Sequence, residues 1–400
     1  MEKKAFLVGL MCLSVCLISC NAAKETAEQK ALDREQLNRA VNTLDSLYKY
    51  YQIEESYLLR ETYPFDDQHR ATYLADNEGQ QPNKFSYLWP YSGTFSSVNV
   101  LLEQSQDQKF RTLLDTRVLP GLENYFDTKR QPAAYASYVN EAPESDRFYD
   151  DNVWLGIDFT DIYAQTSEAK YLDKAKLILL FIKSGMDDKL GGGIYWVEQK
   201  KESKHTCSNA PGSVFALKLF NATKDSSYLH LGKELYDWTK ANLQDTTDYL
   251  YYDNIRLDGQ VSREKYAYNS GQMLQAAAML YKITGDEKYK LEAQNIAKSG
   301  YDYFFTDYTS PEGDKFRLLK KTDIWFIAVM MRGYIELYSI DNDETYMNSF
   351  RKNLDHAWKH MRDENGLFNT DWTGNSKDEK KWLLTQAGMV EMYARMASIK

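Results

Sequence analysis

Two neighbouring carboxylates, Asp150 and Asp151, stand in the run Tyr149-Asp150-Asp151-Asn152-Val153-Trp154-Leu155-Gly156, where a polar loop gives way to an amphipathic helix. Two carboxyl groups beside one bond are what glycoside cleavage requires, one to attack or to activate water and one to protonate the leaving oxygen. Close carboxylates repel, so one of the two holds a proton while a helix N-terminus favours the other's charge. The same pair also suits a plain helix start, because Asp and Asn satisfy free backbone N–H groups at N-caps and in first turns. Spacing alone leaves both readings open.

A recurring aromatic locates the elements that must hold this pair. Phe110, Tyr171, Tyr228, Tyr289 and Tyr346 follow one another at intervals of 61, 57, 61 and 57 residues, and the polar turns Gln165–Lys170, Ala222–Ser227 and Thr284–Lys288 precede three of them. A fixed period of this length marks a repeated unit, here two amphipathic helices joined as an antiparallel hairpin. The pattern predicts helices over 32–53, 86–104, 107–128, 150–165, 168–185, 208–222, 225–243, 267–283, 286–305, 322–338, 343–362 and 381–398. If the first packs against the last, these form six pairs, and the expected fold is all-α, an (α/α)6 barrel or six-hairpin toroid. An open solenoid would leave apolar ends in need of caps that the sequence does not supply. The first helix of each pair is poor in charge and rich in small residues, as in Asn209–Leu217 and Asn269–Ala278, which suits an inner ring. The second carries Lys and Glu on one face, as in Tyr289–Lys298, and meets water. Every inner-helix start, Asp150 and Asp151 included, then falls at one mouth of the barrel among long loops.

The same mouth collects Trp89, Tyr91, Tyr149, Trp154, Trp196, Lys204, Asn209, Tyr252, Asp253, Asn254, Tyr268, Asn269 and Arg332. Flat aromatics suit the C–H faces of a sugar, and amides, hydroxyls and carboxylates meet its hydroxyls. With 31 Tyr in the chain, most aromatics are ordinary packing. Other motifs carry less. Gly191-Gly192-Gly193 lacks the Gly-Lys-Ser/Thr ending of a phosphate loop and reads as a sharp turn beneath Trp196. His356 and His360 share a helix face without the adjacent glutamate of a zinc site. Asp341-Asn342-Asp343-Glu344 lacks the spacing of a calcium loop and suits an inter-helix turn. Cys207 stands two residues from His205, a spacing that gives a nucleophile no fixed base, and reads as structural. No metal and no cofactor is expected.

Composition agrees with one large helical domain: 400 residues, 43% of them apolar, can bury a sizeable core. A net charge of −9 argues against nucleic acid and anionic membrane surfaces as partners and fits a neutral or cationic ligand. The basic start Met1-Glu2-Lys3-Lys4, an apolar stretch over 5–18 and Leu17-Ile18-Ser19-Cys20 read as a secretory signal whose last four residues resemble a bacterial lipobox. The expected organisation is a lipoprotein signal over 1–19, a tether over 20–31 and a catalytic domain over 32–400, with Cys20 lipidated. Such a chain is a monomeric outer-membrane lipoprotein, on the cell surface or the periplasmic face, attached through its lipid alone. Cys12 and Cys16 leave with the signal, so Cys207 has no disulfide partner.

Taken in order, Tyr149-Asp150-Asp151-Asn152-x-Trp154, Gly191-Gly192-Gly193-x-x-Trp196, Lys204 through Asn209, Tyr252-Asp253 and Tyr268-Asn269-x-Gly271 resemble glycoside hydrolase family 76, the bacterial endo-α-1,6-mannanases. The resemblance covers about residues 85–398. It implies an (α/α)6 barrel and hydrolysis of the α-1,6-mannan backbone of yeast or fungal mannan with retained anomeric configuration. It also implies Asp150 as nucleophile, Asp151 as general acid/base and Asp253 in the substrate groove at the cleavage point. Trp196, Asn209, Tyr268 and Asn269, with Tyr149, Asn152 and Arg332, become candidates for substrate contact. One stretch departs from the pattern: where the family usually has Phe-Lys-Gly before a later Arg, this chain has Phe326-Ile327-Ala328 and then Arg332. The missing Lys bears on a substrate contact along that side of the groove. Two other readings stay open, a six-hairpin enzyme acting on another α-mannoside or as an epimerase, and a lipid-anchored glycan-binding protein. An epimerase would need proton-transfer residues, often His, and the five histidines do not stand at inner-helix starts.

Overall fold

The computed structural model describes residue 30, residues 32–71, Tyr73 and residues 83–399. The predicted signal and Cys20 lie outside the described residues. The first helix, α1, spans 32–51. Five inner helices follow at intervals, α2 (Leu88–Ser105), α5 (Tyr149–Thr166), α7 (Thr206–Thr223), α9 (Ala267–Thr284) and α11 (Ile324–Asp341), each 18 residues long. Each ends on a residue in the left-handed conformation, Gln106, Ser167, Lys224, Gly285 or Asn342, whose N–H bonds back to the last turn.

The next residue is Asp or Glu, and it begins the partner helix at once. Asp107, Asp225, Asp286 and Asp343 each accept a backbone N–H two residues on, the N-cap bond that a helix start needs. Two residues therefore reverse the chain. The outer helices so produced are α3 (Gln108–Leu113), which a π-turn at Leu114–Val118 carries into α4 (Leu119–Leu122), then α6 (Ala169–Ser184), α8 (Ser226–Leu243), α10 (Glu287–Phe304) and α12 (Glu344–His360). The periodic aromatic lies four residues past each left-handed residue; Phe110, Tyr171 and Tyr289 are buried there, and Tyr228 and Tyr346 are half-buried.

The inner ring is closed. α2, α5, α7, α9, α11 and α13 (Leu383–Met396) each pack on the next, and α13 returns to α2. α1 completes the sixth pair: its Arg39 lies over the ring of Tyr393 on α13 and pairs with Asp355 on α12, and its Tyr51 hydroxyl donates to the Lys381 carbonyl at 2.8 Å. The segments that follow α1 and precede α13 also meet as strands, β1 (Thr62–Tyr63) beside β9 (Lys381–Trp382). The fold is thus the expected (α/α)6 barrel, closed by its first and last helices. Small residues set the tightest crossing, where a Cβ on Gly271 of α9 would lie 2.3 Å from Met330 Cα on α11. Among the described residues no helix is long and apolar enough to cross a membrane.

Short strands shape the loops before the inner helices. β2 (Phe126–Asp127) pairs with β3 (Ala134–Tyr135), β5 (Asn254–Arg256) lies between β4 (Ser203–His205) and β6 (Val261–Ser262), and β7 (Phe305–Thr309) pairs with β8 (Lys315–Leu319). In three inner helices the fourth residue pins a loop. Asn152 on α5 bonds the N–H and carbonyl of Tyr135, Asn209 on α7 bonds those of Ile194, and Gln386 on α13 bonds those of Phe368. All three amides are fully buried, where an unmade hydrogen bond would leave a polar group without water or partner.

Candidate active site

Because a helix advances about 100° per residue, a first turn that aims its fourth residue at the loops aims its second elsewhere. In five inner helices that second residue, Trp89, Asp150, Cys207, Tyr268 or Trp325, lines one cavity of about 590 Å³ at the barrel mouth. The third residues Asp151 and Phe326 line it too, with Trp154 one turn deeper on α5.

Three donors hold Asp150. Its Oδ2 accepts from Trp196 Nε1 at 3.1 Å and from Cys207 Sγ at 3.2 Å, and its Oδ1 accepts from the Asp151 backbone N–H at 3.1 Å. The carboxyl keeps some surface toward the cavity, yet the surrounding walls exclude bulk water. That burial pushes it up to about 6, against the pull of the three donors, which favour its charged form.

Trp196 is fixed from behind. It stacks on His205 with ring centres 4.9 Å apart, and its carbonyl accepts the Tyr149 N–H at 2.9 Å. Burial pushes the His205 imidazole down to about 3, so it is neutral at ordinary pH; its Nε2 lies 2.8 Å from Ser203 Oγ. The buried Lys204 ammonium donates to the Asp187 carboxylate at 2.7 Å and to the carbonyls of Lys189 and Gly192 at 2.8 and 2.6 Å, which ties down the glycine turn. All three glycines have positive φ, and a Cβ on Gly193 would lie 2.6 Å from Trp238. That turn packs on Trp238 rather than under Trp196.

The remaining wall is aromatic and acidic. Phe326 stacks on Tyr268 at 4.1 Å and faces Trp89 at 6.2 Å, and Trp89 meets Trp382 edge-on at 5.3 Å. Glu61, itself buried, ties this wall together by accepting from Tyr73, Trp382, Asn83 and the Tyr87 backbone. Asp253 accepts from Asn254 Nδ2 at 2.8 Å and Asn269 Nδ2 at 3.4 Å, and burial pushes both Asp253 and Asp323 upward. Five carboxylates line the cavity, and the lining lysine, Lys380, pairs with Asp66. An anionic ligand would meet repulsion there.

Of the residues expected at the groove, Asp150, Asp151, Asp253, Trp196 and Tyr268 line the cavity, and Asn269 stands behind Asp253. Four others are placed elsewhere. Tyr149, first in its helix, stacks on Phe181 at 4.6 Å; Asn152 and Asn209 are the loop clamps already described. Arg332 lies two turns down the barrel, held by both Glu391 oxygens at 2.6 and 2.7 Å, with its guanidinium 5.8 Å from the Trp154 ring and 5.3 Å from that of Trp325. The position of the missing Lys, Ile327, is fourth in α11 and fully buried, so a side chain there faces the core and not the groove. Conversely Cys207, expected to be structural only, touches Asp150. Glu61, Tyr73, Tyr87, Asp323, Trp325 and Trp382 were not expected at the site, and only the second-place rule points to one of them, Trp325.

The family model for glycosyl hydrolase family 76 matches residues 61–398. A family 76 mannosidase of Bacteroides thetaiotaomicron is 34% identical, with 91% of this chain and 98% of that one covered at a TM-score of 0.83. A family 76 α-mannanase from the same species is 26% identical, covering 90% and 95% at a TM-score of 0.78. Among curated proteins, a mannan endo-1,6-alpha-mannosidase of Saccharomyces cerevisiae is 26% identical over 126 residues, 29% of this chain and 28% of its own. This chain spans about half or less of the length of the curated relatives it matches. With the helices, the cavity and the family model agreeing over the same residues, the chain belongs to glycosyl hydrolase family 76.

Proposed function

We propose that this chain is a retaining endo-α-1,6-mannanase acting on the backbone of yeast or fungal mannan, with Asp150 as nucleophile and Asp151 as general acid/base. The observation that carries the reading is the pair in one helix turn at the cavity, one member of it fixed by three hydrogen-bond donors. Donors to a carboxylate favour its ionised form, which suits Asp150 to the nucleophile's part. Asp150 attacks the anomeric carbon as the bond to the leaving oxygen breaks, and Asp151 gives that oxygen its proton. The resulting β-mannosyl ester is then cleaved by a water that loses its proton to Asp151, freeing Asp150 and an α-configured product. The acidic, aromatic cavity supports a neutral sugar, and the mannosidase and mannanase descriptions of the relatives support mannose.

Neighbouring residues in one turn leave little room for a water between carboxylate and sugar, whereas inverting enzymes separate their carboxyl groups by about 6.5–9.5 Å. Proton NMR of the first products from an α-1,6-mannooligosaccharide, taken before mutarotation, should therefore show the α-anomer. Asp150→Ala and Asp151→Ala should each remove nearly all turnover with unchanged helical circular dichroism. A β-anomer appearing first, or parent-like turnover by either variant, would overturn the assignment.

A further inference from the structure

The Cys207 thiol has a place in the site that its chemistry as a lone buried cysteine does not explain. It is second in α7, as Asp150 is second in α5, so the two side chains project into the same cavity from adjacent inner helices. Its Sγ lies 3.2 Å from Asp150 Oδ2, the oxygen that also accepts from Trp196. Tyr268, the second residue of α9, lines the same cavity. Three consecutive inner helices thus bring their second residues to one cavity, and two of them are joined by a bond from thiol to carboxylate.

We propose that Cys207, through its bond to Asp150, is a positioning residue that keeps the Asp150 carboxylate ionised and aimed into the cavity. The inference rests on Asp150 being the nucleophile. A thiol is a weak donor, but an ionised acceptor strengthens the bond, and burial removes the competing water. Direction is fixed as well: burial and the nearby Asp150 and Asp253 charges push the thiol well up, so the proton stays on sulfur and the bond runs from thiol to carboxylate. Tyr268 carries its aromatic face against Phe326 in the wall of the same cavity, where a sugar would pack. The other titratable groups facing this point are Asp151 on α5, His205 at the end of β4 and Asp253 before β5; Glu61, Asp323, His69 and Lys380 line the same cavity. His205 is neutral, Lys380 pairs with Asp66 and His69 lies 3.8 Å from Glu61, so the donors that hold the Asp150 carboxyl are Trp196, Cys207 and the Asp151 N–H.

The test is the pH profile of kcat on an α-1,6-mannooligosaccharide for the whole parent chain, Cys207→Ala and Cys207→Ser. Loss of one weak donor should move the acid limb of the Ala variant up by about half a pH unit, which is about a threefold loss of kcat on that limb and little change at pH 8. KM should stay close to the parent's. Serine restores a donor, so its acid limb should not rise. A merely structural cysteine would lower the melting temperature of both variants and leave the limb in place. An unmoved limb in Cys207→Ala, or a rise in Cys207→Ser as large as in Cys207→Ala, would overturn the proposal. Should Cys207→Ala not fold, the proposal stands or falls on serine, whose limb must lie at or below the parent's. Parent-like turnover by Asp150→Ala would instead overturn the nucleophile assignment beneath it, whatever the Cys207 variants do.

Discussion

Asp150 carries its charge where the fold resists it. A free aspartate titrates near 3.9, and burial raises this one to about 6. The folded chain therefore binds the proton more tightly than the unfolded chain. Below about pH 4 both states are protonated and the fold bears no penalty; as pH rises through 6 the folded state holds an anion that the unfolded state would hold more easily, a cost of up to about 3 kcal/mol. Asp150→Asn keeps the shape and an acceptor oxygen for Trp196 and Cys207 but no charge. It should be inactive and yet more stable than the parent at pH 7.5, and that advantage should fade toward pH 4. Urea unfolding at the two pH values checks this; an Asn variant no more stable than the parent at pH 7.5 would show that the site does not strain the ionised carboxyl. The same raised value means that activity falls as pH drops through about 6, because the nucleophile is then protonated.

Hairpin turns explain why so much of the architecture was legible. A left-handed residue followed by an acidic N-cap is a chemical signature that recurs with the aromatic four residues on, so hairpins could be placed from the sequence. Glycine occupies the left-handed site only at Gly285. The other four bear a steric cost of about 1 kcal/mol each. Gln106 is exposed and only its backbone N–H makes the cap bond, so Gln106→Gly should stabilise the protein by about 0.5 kcal/mol, the gain being trimmed by glycine's larger unfolded entropy. Gly285→Ala should cost about 1 kcal/mol through φ alone, since a Cβ there meets nothing within 4 Å. Urea midpoints moving the opposite way would mean that the turn is set by tertiary packing and not by local conformation. The short strands left no such signature: two to five residues carry no period, and the Phe305–Thr309 strand ran on from a helical pattern. Site legibility follows helix-start accuracy only in part. The sequence pattern puts α9 at its true start and α5 within one residue, and it marks Tyr268 and the Asp pair; it puts α7, α2 and α11 two residues off, which turns a helix face by about 200°. Trp89 is still picked out as an aromatic, whereas Cys207 reads as structural for want of a fixed base and no motif singles out Trp325. Asn152, Asn209 and Arg332 were assigned to the groove on residue type, which does not reveal that a first-turn amide faces a loop or that a guanidinium lies down the barrel axis.

A closed ring must also fill its own centre, and Arg332 shows how this one does. Its guanidinium bridges α11 to Glu391 on α13, while Arg395 donates to the same Glu391 at 2.7 Å. Burial opposes the Glu391 charge, yet the two arginines hold its carboxyl down at about 2. On the other side burial pushes Asp158 of α5 up to about 7 despite Arg332, and the Ser96 hydroxyl of α2 bonds that carboxyl. Four inner helices therefore meet at one buried polar group, directly under Trp154 and Trp325, which line the cavity. Removing one member of a buried ion pair leaves the other uncompensated and costs about 3–5 kcal/mol. Arg395 still pairs with Glu391, so Arg332→Met should lose stability toward the lower end of that scale in urea unfolding. It should also make unfolding more acid-sensitive, because Glu391 would then release its stabilisation at a higher pH than the present fall between about 4 and 2. A role in the groove predicts the reverse pattern, a raised KM for mannooligosaccharide with an unchanged melting temperature. Arg332 is buried at 5% exposure and none of its atoms border the cavity, so KM measured on the folded fraction should stay close to the parent's while the melting temperature falls.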